Sequence, residues 1–341
     1  MPNYLITGAT GFVGSHMIDY LLANTDGMIY ASRRWRSRDE NIVHLYCNPR
    51  VNFIEADLMD RGSLSLLLRK AKPDIIWHFA AQSFPETSFI YPIHTLQTNI
   101  IGTANLLDEI HLAVLDGRID PIIVSVSSSE VYGMPDPSEV PIKETNPIRA
   151  ANPYSISKVG HDLMSQYYHK AFGLKIITTR MFSHEGARRG RKFALSSFAY
   201  QIVQGEMQYR QDINNRSYGN SKYIIRVGNL NSVRTYAHID DAVHAYWLAA
   251  NKCTVGEVYN IGGNHTCTVG EALNDLISKS YIQPTDFKIE IDLALIRPTD
   301  ITLQIPDCTK FMQATGWKPT KGLDDINKDL LIYWRNVLRR S

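Results

Sequence analysis

Apolar residues in the first half of the chain follow two alternating rhythms. Short, nearly continuous runs stand at Tyr4 to Thr7, Met28 to Ser32, Val51 to Glu55, Ile75 to Phe79, Ile122 to Val126 and Leu174 to Thr179. Runs of this length, bounded by turn residues, predict strands buried on both faces. Between them the apolar spacing widens to three and four: through Leu22, over Arg61 to Lys70, over Thr95 to Leu112 and over Ser155 to Ala171. In the third of these, Ile100, Ile101, Leu106, Leu107 and Ile110 mark the buried stripe of a helix. Strands alternating with helices of this length predict an α/β fold, a parallel sheet with helices on both faces. Beyond Arg180 the alternation gives way to shorter elements. The expected organisation is a core over residues 1–180, to which parts of the later chain return, and a smaller interleaved lobe over 181–341.

The first strand runs into "TGATGFVG", with Gly8, Gly11 and Gly14 at GxxGxxG spacing and a helix directly after. Thr10, Phe12 and Val13 fill the turn and open that helix. Glycines here permit a tight turn and let backbone approach a pyrophosphate at the positive end of the helix. The context predicts a doubly wound, Rossmann-type dinucleotide site; the alternative is a strand–helix turn with no ligand. The second strand ends in "YASRRWRSRDE", which offers Arg33, Arg34, Arg36 and Arg38 and no acid before Asp39. A ribose hydroxyl calls for an acid at this point and a 2′-phosphate for arginine, so the expected cofactor is NADP. Asp57 and Leu58 follow the third strand where an adenine could be met, or where a turn is simply exposed. Ala80 and Ala81 in "HFAAQS" are small enough to let backbone lie against a cofactor, whereas His78 reads as a packed histidine.

Composition narrows the partners more than the fold. The 341 residues carry 36 Lys+Arg against 34 Asp+Glu, so nothing points to a nucleic-acid partner. Four separated cysteines, Cys47, Cys253, Cys267 and Cys308, show no metal or disulfide pattern. No apolar run is long enough to span a membrane, and the expectation is a cytoplasmic protein with no metal. Gln211 to Ser221 is the most loop-like stretch.

The fifth strand ends in "SSSEVYG", placing Ser128 and the single acid Glu130 at its mouth. Downstream, "NPYSISK" sets Tyr154 and Lys158 four residues apart, on one face of a helix. An ammonium beside a phenol favours the phenolate, which can then accept a proton from a substrate hydroxyl. Alone, either motif is common. Together, after a dinucleotide turn, they form a specific set.

These segments, with "TNIIGTANLL", "HEGARRG", "VGNLNSVRTYAHIDDAVHAYWL", "YNIGG", "IRPTD" and "DCTKFMQATGWKP", cover nearly the whole chain. It resembles the extended short-chain dehydrogenase/reductases that act on nucleotide sugars, and among them the GDP-mannose 4,6-dehydratase group. The resemblance implies Ser128, Glu130, Tyr154 and Lys158 as catalytic residues, with Tyr154 and Lys158 also meeting the cofactor. It implies a GDP-sugar as substrate and a recycled NADP. By position it offers Ser83, Ser129, His184, Arg189, Lys192, Asn229, Arg234 and Arg297 to the substrate. It also implies a homodimer through the helices over Thr95 to Leu112 and Ser155 to Ala171, or a homotetramer completed by the arginine loop. Members typically carry Thr where this chain has Ser128, and Asn-His-Glu where it has Ser183-His184-Glu185. The sugar therefore stays open. Rival readings on the same scaffold are a 4-reductase or epimerase, which needs no acid at position 130, and a nucleotide-sugar decarboxylase. A non-catalytic NADP-binding scaffold would have no use for the intact set.

Overall fold

All six apolar runs become strands of one parallel sheet in the computed structural model, which describes residues 1–215 and 222–340. They are β1 (Asn3–Thr7), β2 (Met28–Arg33), β3 (Val51–Glu55), β4 (Ile75–His78), β5 (Ile122–Val126) and β6 (Lys175–Met181). A seventh strand, Val258–Ile261, returns from late in the chain, giving the order β3-β2-β1-β4-β5-β6 and then Val258–Ile261. This is the doubly wound order: all strands run parallel, and successive strands are added outward in opposite directions from the boundary between β1 and β4. The sixth run was expected to end at Thr179. It continues to Met181 because the returning strand pairs with it residue for residue from Thr178 to Met181.

The helices are α1 (Phe12–Asn24), α2 (Arg61–Ala71), α3 (Pro85–Ile90), α4 (Pro92–Leu96), α5 (Gly102–Leu115) and α6 (Pro153–Phe172). Leu5, Ile76, Ile123 and Ile176 of the sheet pack with Leu64, Leu67 and Leu68 of α2 and with Leu106, Leu107 and Ile110 of α5. Each such side chain contributes about 2 kcal/mol on burial. The single helix expected over Thr95 to Leu112 is instead α4, a π-helical turn at Gln97–Ile101, and α5. The wider turn places Asn99 inward, where its amide donates to Ser157 Oγ at 2.8 Å and to the Gln82 carbonyl at 2.9 Å.

The chain divides into two compact units. The first comprises Met1–Phe182, Asp240–Ile261 and Pro306–Lys318; the second comprises Ser183–Ile239, Gly262–Ile305 and Pro319–Ser341. In the second, helices Ala194–Asn214, Val269–Ser278 and Leu323–Arg340 gather around a core that includes Phe198, Ile202, Leu273, Leu330 and Trp334. The parallel strand pair Tyr223–Val227 and Phe287–Ile291 packs against it. The loop expected from Gln211 is corrected here: the helix runs on through Asn214, held by Tyr209 packing on Tyr223 and by the Tyr223 hydroxyl donating to Asp212 at 3.1 Å. The rest of that stretch, 216–221, lies outside the described residues. Among the described residues, no helix is long and apolar enough to cross a membrane.

Candidate active site

The turns after β1 and β4 meet where the strand order reverses, the usual ligand crevice of such sheets. Gly8 sits at φ +72°, and a Cβ on it would lie 2.8 Å from the Ala80 amide nitrogen. A side chain there would strain the backbone and force the two turns apart. Thr7 Oγ1 staples them, accepting from the Ala80 amide at 3.2 Å and bonding His78 Nδ1 at 2.7 Å. Gly11 then opens α1 without any side-chain cap. The first amides of such a helix, those of Phe12, Val13 and Gly14, could hold an anion such as a pyrophosphate beside the turn of Gly8, Thr10 and Gly11, whose own amide donates to the Gly8 carbonyl at 3.0 Å. Ala80 and Ala81, half-buried, border the same mouth.

The other cofactor candidates separate. The Arg33 guanidinium lies over the Tyr46 and Phe53 rings and donates to the Tyr46 hydroxyl at 3.0 Å. It is bound into its own loop, while Arg34, Arg36 and Arg38 are exposed. Asp57 Oδ1 accepts from the Met59 amide at 3.0 Å and shapes the turn after β3. Leu58 is buried against Gly102.

Beyond β5, Ser128 Oγ accepts from the Glu130 amide at 3.2 Å and so caps the short 3₁₀ turn Ser129–Tyr132, keeping its own O–H as a donor. Ser129 is buried within this turn, whereas Ser83 is exposed. Gly133 closes the turn at φ +60°, with the Arg149 carbonyl oxygen 1.7 Å from where a Cβ would stand. Tyr132 anchors the motif from below. Its hydroxyl donates to Asn260 Oδ1 at 2.7 Å and accepts from Arg180 Nη1 at 2.9 Å. Arg180 in turn holds Asp162 by two bonds of 2.9 and 3.1 Å. Both partners are buried, and removing one alone would cost about 3–5 kcal/mol.

Asn152 caps α6, Pro153 takes its first position, and Tyr154 and Lys158 follow one turn apart. Both are buried, Tyr154 at 9% and Lys158 at 4% exposure, which removes the ammonium from bulk water. Lys158 Nζ donates to the Val126 carbonyl at 2.6 Å. Burial pulls its ammonium down to about 8, and the charge of Asp162 one turn along opposes the shift. The Tyr154 amide donates to Ser88 Oγ at 3.1 Å, tying the helix start to α3. Ser128, Glu130, Tyr154 and Lys158 thus come from one strand end and one helix start of the same unit. Behind them His78 and His161 stack at 5.2 Å, both bonded to Thr103. Burial, helped by Lys158, pushes His78 down to about 3 and His161 well below its ordinary value, so both are neutral packing groups.

The remaining candidates belong to the second unit. His184–Glu185 forms a two-residue strand paired with Ala237 and His238. Asn229 donates to Asp300 at 2.8 Å, Ser232 donates to the same oxygen at 2.9 Å, and Arg234 lies 3.9 Å from that carboxylate. Asp300 is therefore a hub that the "IRPTD" motif contained without pointing to it. Arg297 is half-buried and Lys192 exposed. Arg189 stacks on Phe193 at 3.4 Å and stands 3.5 Å from Glu185.

Burial pushes Glu185 up from 4.5 to about 7, with Arg189 opposing. A carboxyl raised in the folded state costs stability as it ionises: the cost is absent below about pH 4.5, grows towards pH 7 and is complete above it. Glu185→Gln should therefore stabilise the protein by up to about 3 kcal/mol at pH 8 and far less at pH 5. Thermal melts of both proteins at the two pH values check this. An equal shift at both would contradict it.

Comparison with known proteins gives the family. The family model described as GDP-mannose 4,6 dehydratase matches residues 5–330. A dTDP-glucose 4,6-dehydratase of Haemophilus influenzae is 29% identical, over 94% of each chain. The human GDP-mannose 4,6 dehydratase is 27% identical, over 96% of this chain and 90% of that one. Among solved structures, DesIV, a dTDP-glucose 4,6-dehydratase of Streptomyces venezuelae with NAD and TYD bound, superposes with a TM-score of 0.83 at 26% identity, covering 99% of this chain and 98% of that one. With its doubly wound sheet and a match along nearly its whole length, the chain belongs to the GDP-mannose 4,6 dehydratase family of extended short-chain dehydrogenase/reductases.

Proposed function

We propose that the protein is a nucleotide-sugar 4,6-dehydratase acting on a GDP-hexose, GDP-mannose or a close relative, with tightly bound NADP. The observation that carries this reading is Glu130, held beside the start of the Tyr154–Lys158 helix by Asn152. An oxidoreductase or epimerase needs the tyrosine and lysine but not the acid. When bound, the nicotinamide supplies reversible hydride chemistry, with no net consumption of cofactor.

The protein's own groups divide the proton work. Tyr154, its phenolate favoured by the ammonium of Lys158, accepts the proton of the 4-hydroxyl. Ser128 donates a hydrogen bond to the 4-oxygen. Once carbon 4 is a ketone, the proton on carbon 5 is acidic, and Glu130 removes it as water leaves carbon 6. That elimination leaves a double bond between carbons 5 and 6; return of the hydride taken from carbon 4 to carbon 6, with a proton added at carbon 5, would give the 4-keto-6-deoxy sugar and restore the oxidised cofactor.

NADP is favoured over NAD by the arginine loop, where Arg33 and Arg34 at the end of β2 are the candidates to meet a 2′-phosphate. Gly8 to Gly14, Asp57, Leu58, Ala80 and Ala81 complete the cofactor set. Ser83, Ser129, His184, Arg189, Lys192, Asn229, Arg234 and Arg297 are the candidates for the substrate. Guanine as the base is favoured by the family model and the human relative. The exposed Leu115, Leu163 and Tyr167 on α5 and α6 support a homodimer through these helices, and the arginine loop a tetramer.

Mass spectrometry of products from GDP-mannose, other GDP-hexoses and dTDP-glucose tests the assignment. A GDP-sugar should yield a product lighter by one water with catalytic NADP. Loss of carbon dioxide would support the decarboxylase, stoichiometric cofactor use the reductase, and turnover of dTDP-glucose alone would overturn the GDP assignment.

A further inference from the structure

We infer that Asn152 is a positioning residue for Glu130, an inference that rests on the dehydratase reading above. Asn152 is 5% exposed and performs two tasks with the two ends of one amide. Its Oδ1 accepts from the Ser155 amide at 2.8 Å, capping α6. Its Nδ2 donates to Glu130 Oε2 at 3.1 Å, across 22 residues of sequence. The orientation is fixed by chemistry. A flipped amide would aim two hydrogens at the Ser155 N–H and set Oδ1 against a carboxylate oxygen, losing both bonds. The backbone around it is fixed as well. Ser155 Oγ accepts from the Ala151 and Asn152 amides at 2.8 and 2.9 Å and donates to the Asn152 carbonyl at 2.8 Å.

The consequence is a mechanical link between the two proton-transfer groups. Tyr154 lies two residues after Asn152 on the capped helix, and Glu130 hangs from the cap itself. The reaction asks these groups to serve adjacent carbons of one sugar, a task that requires positions held to about 0.5 Å. The Nδ2 bond occupies one carboxylate oxygen and leaves the other oxygen to take the proton.

The test separates capping from positioning. Ser and Asp both cap helices well, so Asn152→Ser should keep the melting temperature of the full chain, while Asn152→Asp should fold with a melting temperature lowered by the facing carboxylates. Ser is too short to reach Glu130, and Asp confronts it with a second carboxylate. With a nucleotide sugar that the wild type dehydrates, oxidation at carbon 4, read from reduced-nicotinamide absorbance in a single turnover, should proceed at the wild-type rate. Water loss should slow by roughly tenfold to a hundredfold, more for Asp, with KM unchanged. Variants that lose water at the wild-type rate, or that slow both steps alike, overturn the positioning role. A wild type that removes water from no nucleotide sugar overturns the dehydratase reading and this inference with it.

Discussion

Glu130→Gln should stop water loss while leaving oxidation at carbon 4 intact. The glutamine keeps the size of the side chain and an oxygen for the Asn152 Nδ2 bond, now 3.1 Å long, so the Ser129–Tyr132 turn should hold its shape. What is lost is the lone-pair basicity of a carboxylate, and with it the means to take the carbon 5 proton. Removing a general base costs about 10²–10⁴ in rate. The expected record is a rise in reduced-nicotinamide absorbance of one equivalent per site, followed by almost no dehydrated product. A variant that forms product at the wild-type rate would remove Glu130 from the chemistry. The site would then read as that of a reductase or epimerase.

Tyr154→Phe should silence both steps. The ring is 9% exposed and its amide bond to Ser88 Oγ does not involve the side chain, so phenylalanine should fill the same space. Without the hydroxyl no group takes the 4-hydroxyl proton, and elimination depends on the ketone that this step creates. The expected loss is about 10²–10⁴ in turnover, with neither absorbance change nor water loss, while cofactor binding measured by calorimetry persists. The contrast between the two variants matters more than either alone: one blocks after the first step, the other before it.

Much of this was legible in the residues because it is local. The buried runs of β1 to β5 stand within one or two residues of the observed strands, since a strand covered on both faces must be continuously apolar. Gly8 and the Tyr154–Lys158 pair carry their geometry in their spacing. What escaped depends on distant partners. The strand Val258–Ile261 is four residues long and owes its place to pairing with β6. The π-helical turn at Gln97–Ile101 shifts helical spacing by one residue, too little for an apolar stripe to reveal. The bond from Asn152 to Glu130 and the three neighbours of Asp300 show only once the chain is folded. The arginine loop was only partly legible. Four guanidiniums suggest a phosphate site, but the contacts of Arg33 with Tyr46 and Phe53 could not be read from their spacing.

The central claim is that this chain abstracts a proton from carbon 5 and expels water from carbon 6 of a nucleotide sugar. Its most direct test is turnover of GDP-mannose in deuterium oxide, with the carbon-bound label in the product located by mass spectrometry and NMR. The account predicts a product that has lost one water and gained one deuterium at carbon 5. An intact sugar with no carbon-bound deuterium, or a dehydrated product unlabelled at carbon 5, would contradict it.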